Sequence, residues 1–287
     1  MLVKRVLNRH RRSKVPTLRC GHELPPRCSQ RYKAKCSVCG SFWDLDALGS
    51  EGRYDASYPK LRSHYDPAIG ANKVRTLKSW LSELGIDLSP LTVCEVGFGG
   101  AHCLKFLYDD SREVFGIETI AENIEHAGRI GISGANLFLA HALPPALSAK
   151  IDLWLFQDSF EHLTCPDTFM EWLSTNSSER SRLLLVAPAA ESISERLLGR
   201  IWPHKLADHT FHWTKRGLVD FMARRNFHLV TKFRPVKYIS VMTIIAHLMH
   251  KSGRKGGLPE KWRSLSFLNL RFRVNIGEMG LLFRSGA

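Results

Sequence analysis

Apolar residues fall along this chain in two alternating patterns. Short, largely unbroken apolar runs occupy Leu91–Phe98, Glu113–Glu118, Asn136–Ala140, Ile151–Gln157, Arg182–Ala187 and His228–Phe233, and each reads as a strand. The stretches near Ala101–Tyr108, Ala121–Arg129, Asp167–Leu173 and Trp213–Arg225 read as helices. Ahead of them, Val74, Leu77, Trp80, Leu81 and Leu84 recur at helical spacing over Lys73–Leu84, and Gly85 stops that helix. The tail, Arg271–Arg284, has two apolar stretches that can supply a last strand. Continuous apolar strands alternating with helices predict an α/β fold. It is a doubly wound, mostly parallel seven-stranded sheet covered on both faces.

The chain organises around that sheet. Residues 1–15 read as a basic flexible arm, 16–45 as a cysteine module, 46–90 as a connector ending in a lid helix, and 91–287 as the sheet domain. There is no internal repeat. A length of 287 residues suits one large domain with a small appendage. No apolar run reaches the ~18 residues of a membrane-spanning helix; Tyr238–Met249 comes nearest and is interrupted by Ser240, Thr243 and His247. The basic start lacks the apolar core of a secretory signal, so a cytoplasmic location without disulfides is expected. The formal charge of +14 is uneven: +10 over residues 1–40, +9 over 232–287, and −5 between them. Basic ends attract phosphates, or simply form a solvated positive surface.

The strongest chemical signal is the turn Cys94-Glu95-Val96-Gly97-Phe98-Gly99-Gly100-Ala101, between the first strand and its helix. Glycines there accept unusual backbone angles and let a ligand lie against the main chain. Glu118 ends the second strand, near the ~20-residue spacing of an acid that grips ribose hydroxyls. A dinucleotide fingerprint would need glycine at 102, which is His102, and there is no GxxxxGK[ST] loop.

These segments resemble class I S-adenosylmethionine-dependent methyltransferases of the small-molecule type, some of which carry an N-terminal cysteine module. Glu95, Gly97 and Gly99 match the family's acid-Gly-x-Gly signature, with the last glycine shifted to Gly100. Asp152 through Asp158 and Glu161-His162 resemble its fourth strand and the loop beyond, and His209 and His212 its segment before the next helix. The resemblance implies that Glu95, Gly97, Gly99, Gly100, Glu118, Thr119, Ile120 and Asp158 bind S-adenosylmethionine. It departs from the family after the third strand, where Leu139-Ala140-His141-Ala142 holds no acid.

Methyl transfer needs alignment and, for most oxygen, nitrogen or carbon acceptors, a group that takes a proton. His162, His204, His209 and His212 are candidates, with His162 and His209 placed first. Cys36-Ser-Val-Cys39-Gly40 reads as a zinc knuckle; Cys20 and Cys28 complete a structural zinc-ribbon-like site, and His22 is an alternative to either. The expected activity is methyl transfer to a small-molecule or carrier-linked saccharide acceptor. An RNA methyltransferase using the basic module is one alternative, although no RNA-binding motif is present. A catalytically inactive binding protein of the same fold is another, motivated by the missing acid.

Overall fold

A computed structural model describes residues 19–22, 27–30, 33–45, 65–132, 136–199, 202, 204–206, 209, 211–241 and 270–286. The basic arm, residues 46–64 of the connector and the stretch 242–269 lie outside the described residues.

The central sheet has seven strands. They are β4 (Thr92–Val96), β5 (Glu113–Glu118), β6 (Leu137–Leu139), β7 (Ile151–Gln157), β8 (Ser177–Pro188), β10 (Phe227–Phe233) and β13 (Glu278–Ser285). Their order is β10-β13-β8-β7-β4-β5-β6. β13 is antiparallel to both its neighbours, and the pairs β8-β7, β7-β4, β4-β5 and β5-β6 are parallel. The predicted doubly wound α/β sheet is therefore the fold. Alternation along β7 explains why it is apolar throughout. Leu153 and Leu155 face one side with Leu77, Leu104 and Leu107. Trp154 and Phe156 face the other with Phe160, Trp213 and Phe221. Each such fully buried side chain contributes about 1.5–3 kcal/mol.

The helices are α1 (Pro67–Glu83), α2 (His102–Asp110), α3 (Ala121–Arg129), α4 (Pro166–Asn176), α5 (Ile193–Leu198) and α6 (Lys215–Ala223). α1 starts earlier than its apolar periodicity predicts. Asp66 caps it by accepting the Ala68 N–H at 2.9 Å, and Pro67 sits in the first turn. The next turn buries Gly70 and Asn72, which periodicity cannot register, and the space above Gly70 is filled by the His102 ring, 2.3 Å from where a Cβ would stand.

Two small sheets complete the fold. The first part of the tail, β12 (Arg271–Val274), pairs with β11 (Lys237–Ser240) rather than joining the main sheet. That hairpin is tied to α1 by the Tyr238 N–H, which donates to the Thr76 hydroxyl at 3.1 Å. The cysteine segment forms β1 (Arg27–Gln30), β2 (Lys33–Lys35) and β3 (Phe42–Asp44), and β3 pairs with β9 (Phe211–His212), so that Phe42 stands opposite His212. Its interior is continuous with one face of the main sheet through Trp43, Phe211 and Trp213. Thr214, the cap of α6, donates its hydroxyl to the Cys39 carbonyl at 2.7 Å, and Arg224 donates to the Cys20 carbonyl. Gly217 on α6 is required by this contact: a Cβ there would lie 2.3 Å from the Ser41 hydroxyl and 2.8 Å from the Cys39 sulfur. No helix among the described residues is long and apolar enough to cross a membrane.

Candidate active site

The parallel strands end at one edge, where a cleft of about 940 Å³ opens. All eight residues expected to bind a donor line it: Glu95, Gly97, Gly99, Gly100, Glu118, Thr119, Ile120 and Asp158. α1 forms the opposite wall through Asn72, Lys73 and Thr76, and the β11–β12 hairpin contributes Lys237 and Tyr238.

The turn after β4 is shaped by close approach. Gly97 has φ +76° and Gly99 φ +54°. A Cβ on Gly97 would stand 2.6 Å from Cβ of Ser159, whose hydroxyl donates to the Val96 carbonyl at 2.6 Å. The main chain is thus bare where the cleft meets it. Glu118 closes the turn from the neighbouring strand. One carboxylate oxygen accepts the Gly99 N–H at 2.7 Å; the other accepts those of Thr119 at 2.7 Å and Ile120 at 3.2 Å. A carboxylate has about four acceptor positions, so Glu118 keeps capacity for a hydroxyl in the cleft.

Glu95 is 3% exposed, and its Oε2 has no hydrogen-bond partner among the described residues. Burial pushes its carboxyl up to about 8, against the opposing pull of Lys73. A bare glycine turn, an acid with spare acceptor positions and a buried carboxylate with one open oxygen fit a cationic nucleoside such as S-adenosylmethionine. Beyond β6, where no acid follows, Ala140 and His141 form the wall. Asp152 lies at the far end of β7, accepting the Thr92 N–H at 3.0 Å and pairing with Arg112 at 3.1 Å.

Asp158 adopts φ +54°, a conformation costly for a residue with a Cβ. Its amide donates to the Val186 carbonyl at 2.9 Å, and its carboxylate pairs with Lys237, which also pairs with Glu278. Burial would raise the Asp158 carboxyl, but the Lys237 ammonium outweighs it and holds it below the usual range. Burial pushes Glu278 up to about 7 despite Lys237, and His204 stands 3.5 Å from it. Lys237 had no distinctive sequence signal, because its role depends on strands that meet it from elsewhere in the chain.

The remaining histidines separate by position. His162, in the single 3-10 turn after β7, lines the cleft. His209 is buried at 5% exposure and packs its ring against that of His162, centroids 4.5 Å apart. His212 stacks on Phe42 at 4.8 Å, and burial, reinforced by His209, holds it well below the usual histidine range. Glu161 lies behind His162; burial and the Asp158 charge push its carboxyl well above the usual range.

Against α6, Cys20, His22, Cys36 and Cys39 converge, with one ligand atom of each within 4.8 Å of the others. Gly40, at φ +82°, turns the knuckle, and the Cys36 N–H donates to the Ser41 carbonyl at 2.7 Å. His22 points Nδ1 at the Cys36 sulfur, 3.6 Å away, and Nε2 at the Asp220 carboxylate, 3.8 Å away. Hydrogen bonding from the Cys20 thiol holds Cys39 well below the usual thiol range, and Cys20 is pushed up in turn. Cys28 falls on β1, but its side chain lies outside what is described.

Residues 69–232 match the family described as Methyltransferase domain. No curated protein matches the chain in sequence. Among solved structures, the chain resembles one from the complex between the Haloferax volcanii Trm112 methyltransferase activator and its methyltransferase, at 12% identity and TM-score 0.52, covering 81% of this chain and 95% of that one. A SAM-dependent methyltransferase from Aquifex aeolicus is 14% identical at TM-score 0.49, covering 81% of this chain and 100% of its own. The magnesium protoporphyrin IX methyltransferase of Synechocystis PCC 6803, solved with bound SAH, is 14% identical at TM-score 0.47, covering 82% of this chain and 90% of that one.

Proposed function

The chain belongs to the class I S-adenosylmethionine-dependent methyltransferases, and we propose that it methylates a small-molecule or carrier-linked saccharide acceptor. The observation that supports donor binding in this cleft is the bond from the Gly99 N–H to Glu118, which sets a carboxylate with spare acceptor positions beside a bare main chain. When bound, S-adenosylmethionine supplies an electrophilic methyl group on a sulfonium. Glu118 would hold the ribose hydroxyls, with Thr119 and Ile120 keeping the carboxylate in place. The main chain from Gly97 to Gly100 would lie against the nucleoside. Glu95 and Asp158 would face its cationic portion.

After β7 the cleft is lined by the apolar Leu163, Phe169 and Trp172, with Thr164 and Thr168 as uncharged polar groups among them. Such a wall suits a compact acceptor better than a polyanion. We assign His162 and His209 to the acceptor's proton. In the cysteine cluster, three thiols and one imidazole form the donor set of a structural zinc, and Asp220 would orient His22 from behind, as carboxylates do for metal-bound imidazoles. We assign that metal to Cys20, His22, Cys36 and Cys39.

The test is calorimetric titration with S-adenosylmethionine, followed by incubation with labelled donor and a panel of small acceptors. Donor binding with transfer to a small acceptor supports the reading. Transfer to RNA instead, with steeply salt-dependent binding, would move the acceptor class. Absence of donor binding would sink the enzymatic reading altogether.

A further inference from the structure

Glu161, His162 and His209 come together where His162 reaches the cleft wall, each offering a ligand atom within 4.8 Å of the other two, with Glu161 and His209 buried behind His162. The 3-10 turn after β7 supplies the first two side by side, and the segment before β9 supplies the third. Glu161 is the residue that asks for a ligand. It is 3% exposed, and among the described residues neither carboxylate oxygen has a hydrogen-bond partner. Arg19 donates to the main-chain oxygen of Glu161, at 3.4 Å, and not to its carboxylate. A buried carboxylate without a partner is among the costliest groups a fold retains, and metal coordination is one of the few ways to compensate it.

We propose that Glu161, His162 and His209 bind a divalent cation whose open coordination position takes an oxygen of the acceptor. This deepens the methyltransferase reading and rests on it. Two imidazoles and one carboxylate suit manganese, iron(II) or zinc, and three protein ligands leave room for an exogenous one. Because His162 lines the cleft, that room faces the acceptor. The acceptor class narrows accordingly, to molecules presenting a hydroxyl or carbonyl oxygen. The two histidines then serve the acceptor's proton as ligands: a hydroxyl bound to the cation loses its proton more readily, and the proton passes to water.

The cysteine cluster is a different kind of site, and manganese separates the two, because thiolates prefer softer ions. Manganese(II) is titrated into the full-length protein as purified, with free ion read by electron paramagnetic resonance. The expected result is one saturable manganese per chain, retained in Cys36→Ser and lost in Glu161→Gln and His209→Gln. Donor titration of each variant shows that it is folded. Added manganese is expected to raise transfer to a hydroxyl acceptor without changing donor affinity. No saturable binding, or binding that survives Glu161→Gln, would overturn the cation site. If the donor still binds in that case, the methyltransferase reading stands with His162 as a base that holds no metal. If the donor fails to bind in the wild-type protein, it is the underlying reading that has failed.

Discussion

Glu118 accepts the main-chain N–H of Gly99 at 2.7 Å, so the acid that ends β5 and the glycine turn that follows β4 are one structural unit. Removing the acid therefore has two effects at once. Glu118→Ala is expected to weaken S-adenosylmethionine binding by about 1–3 kcal/mol, the cost of stranding buried polar partners. It should also loosen the turn, because the amides of Gly99, Thr119 and Ile120 lose their acceptor. Calorimetry reads the first effect and thermal melting the second; unchanged donor affinity would show that the acid does not touch the donor.

Gly97→Ala tests the bare main chain. The φ of +76° would cost an alanine about 1–2 kcal/mol by itself. The new Cβ would also press on Ser159, 2.6 Å away. Ser159 must shift, and it lines the same cleft. Both the melting temperature and donor affinity should fall, whereas a Gly85→Ala control, strained by φ +60° but clear of neighbours, should lower the melting temperature alone.

Donor binding should depend on pH through Glu95. Burial raises its folded carboxyl to about 8, so it is mostly neutral at pH 7 in the free protein. The sign follows from linkage. A raised carboxyl stabilises the fold fully below its unfolded value, near 4.5, and that contribution is lost as pH rises towards 8. A cationic donor favours the carboxylate, so affinity should climb from pH 6 to pH 8, by up to roughly tenfold per unit, and then level off. Titration in two buffers of different ionisation enthalpy at pH 7 should show proton release on binding. Equal heats in both buffers would exclude Glu95 from donor contact.

Stripping the metal assigned to the cysteine cluster should be felt in the acceptor half and not at the donor. β3 pairs with β9, and Thr214 bonds to both Cys39 and Ser41, so loss of the knuckle frees the segment around His212. Cys36→Ser is expected to release zinc, measured by atomic absorption, and to lower the melting temperature by roughly 5 °C, as a few kcal/mol does in a domain of this size. Turnover should fall more than donor affinity. Retention of a full zinc equivalent would show that Cys36 is not a ligand.

His162→Ala should leave donor affinity near that of the wild type and lower turnover by about 10²–10⁴, the usual contribution of a group that handles the acceptor's proton. Single-turnover transfer with saturating donor is the measurement.

Much of the fold was legible because it rests on continuous apolar strands. β5, α3 and β7 run over the residues their patterns predict, and the residues singled out from Gly97 to Glu118 line one cleft. What was not legible is what forms between distant segments. β9 is two residues long and exists only because Trp43 and Phe42 pair with Phe211 and His212. The approach of Glu161 to His209 needs the whole sheet between them. The first turns of α1 are missed for a different reason: they bury Gly70 and Asn72, which carry no hydrophobic signal. In the tail, β12 had a strand's composition, but its partner β11 lies across the stretch 242–269, and only the fold brings the two together.

β13 is wedged between β8 and β10, so the sheet is stitched shut by the strand that follows all its other strands in the chain. While the chain is still leaving the ribosome, Leu183 to Ala187 form a bare apolar edge and β10 has nothing to join. The nascent protein therefore carries a sticky strand until residues 278–285 emerge, which makes chaperone demand during translation a property of its topology. A stop anywhere before Glu278 would not trim a margin; it would remove a rib from the middle.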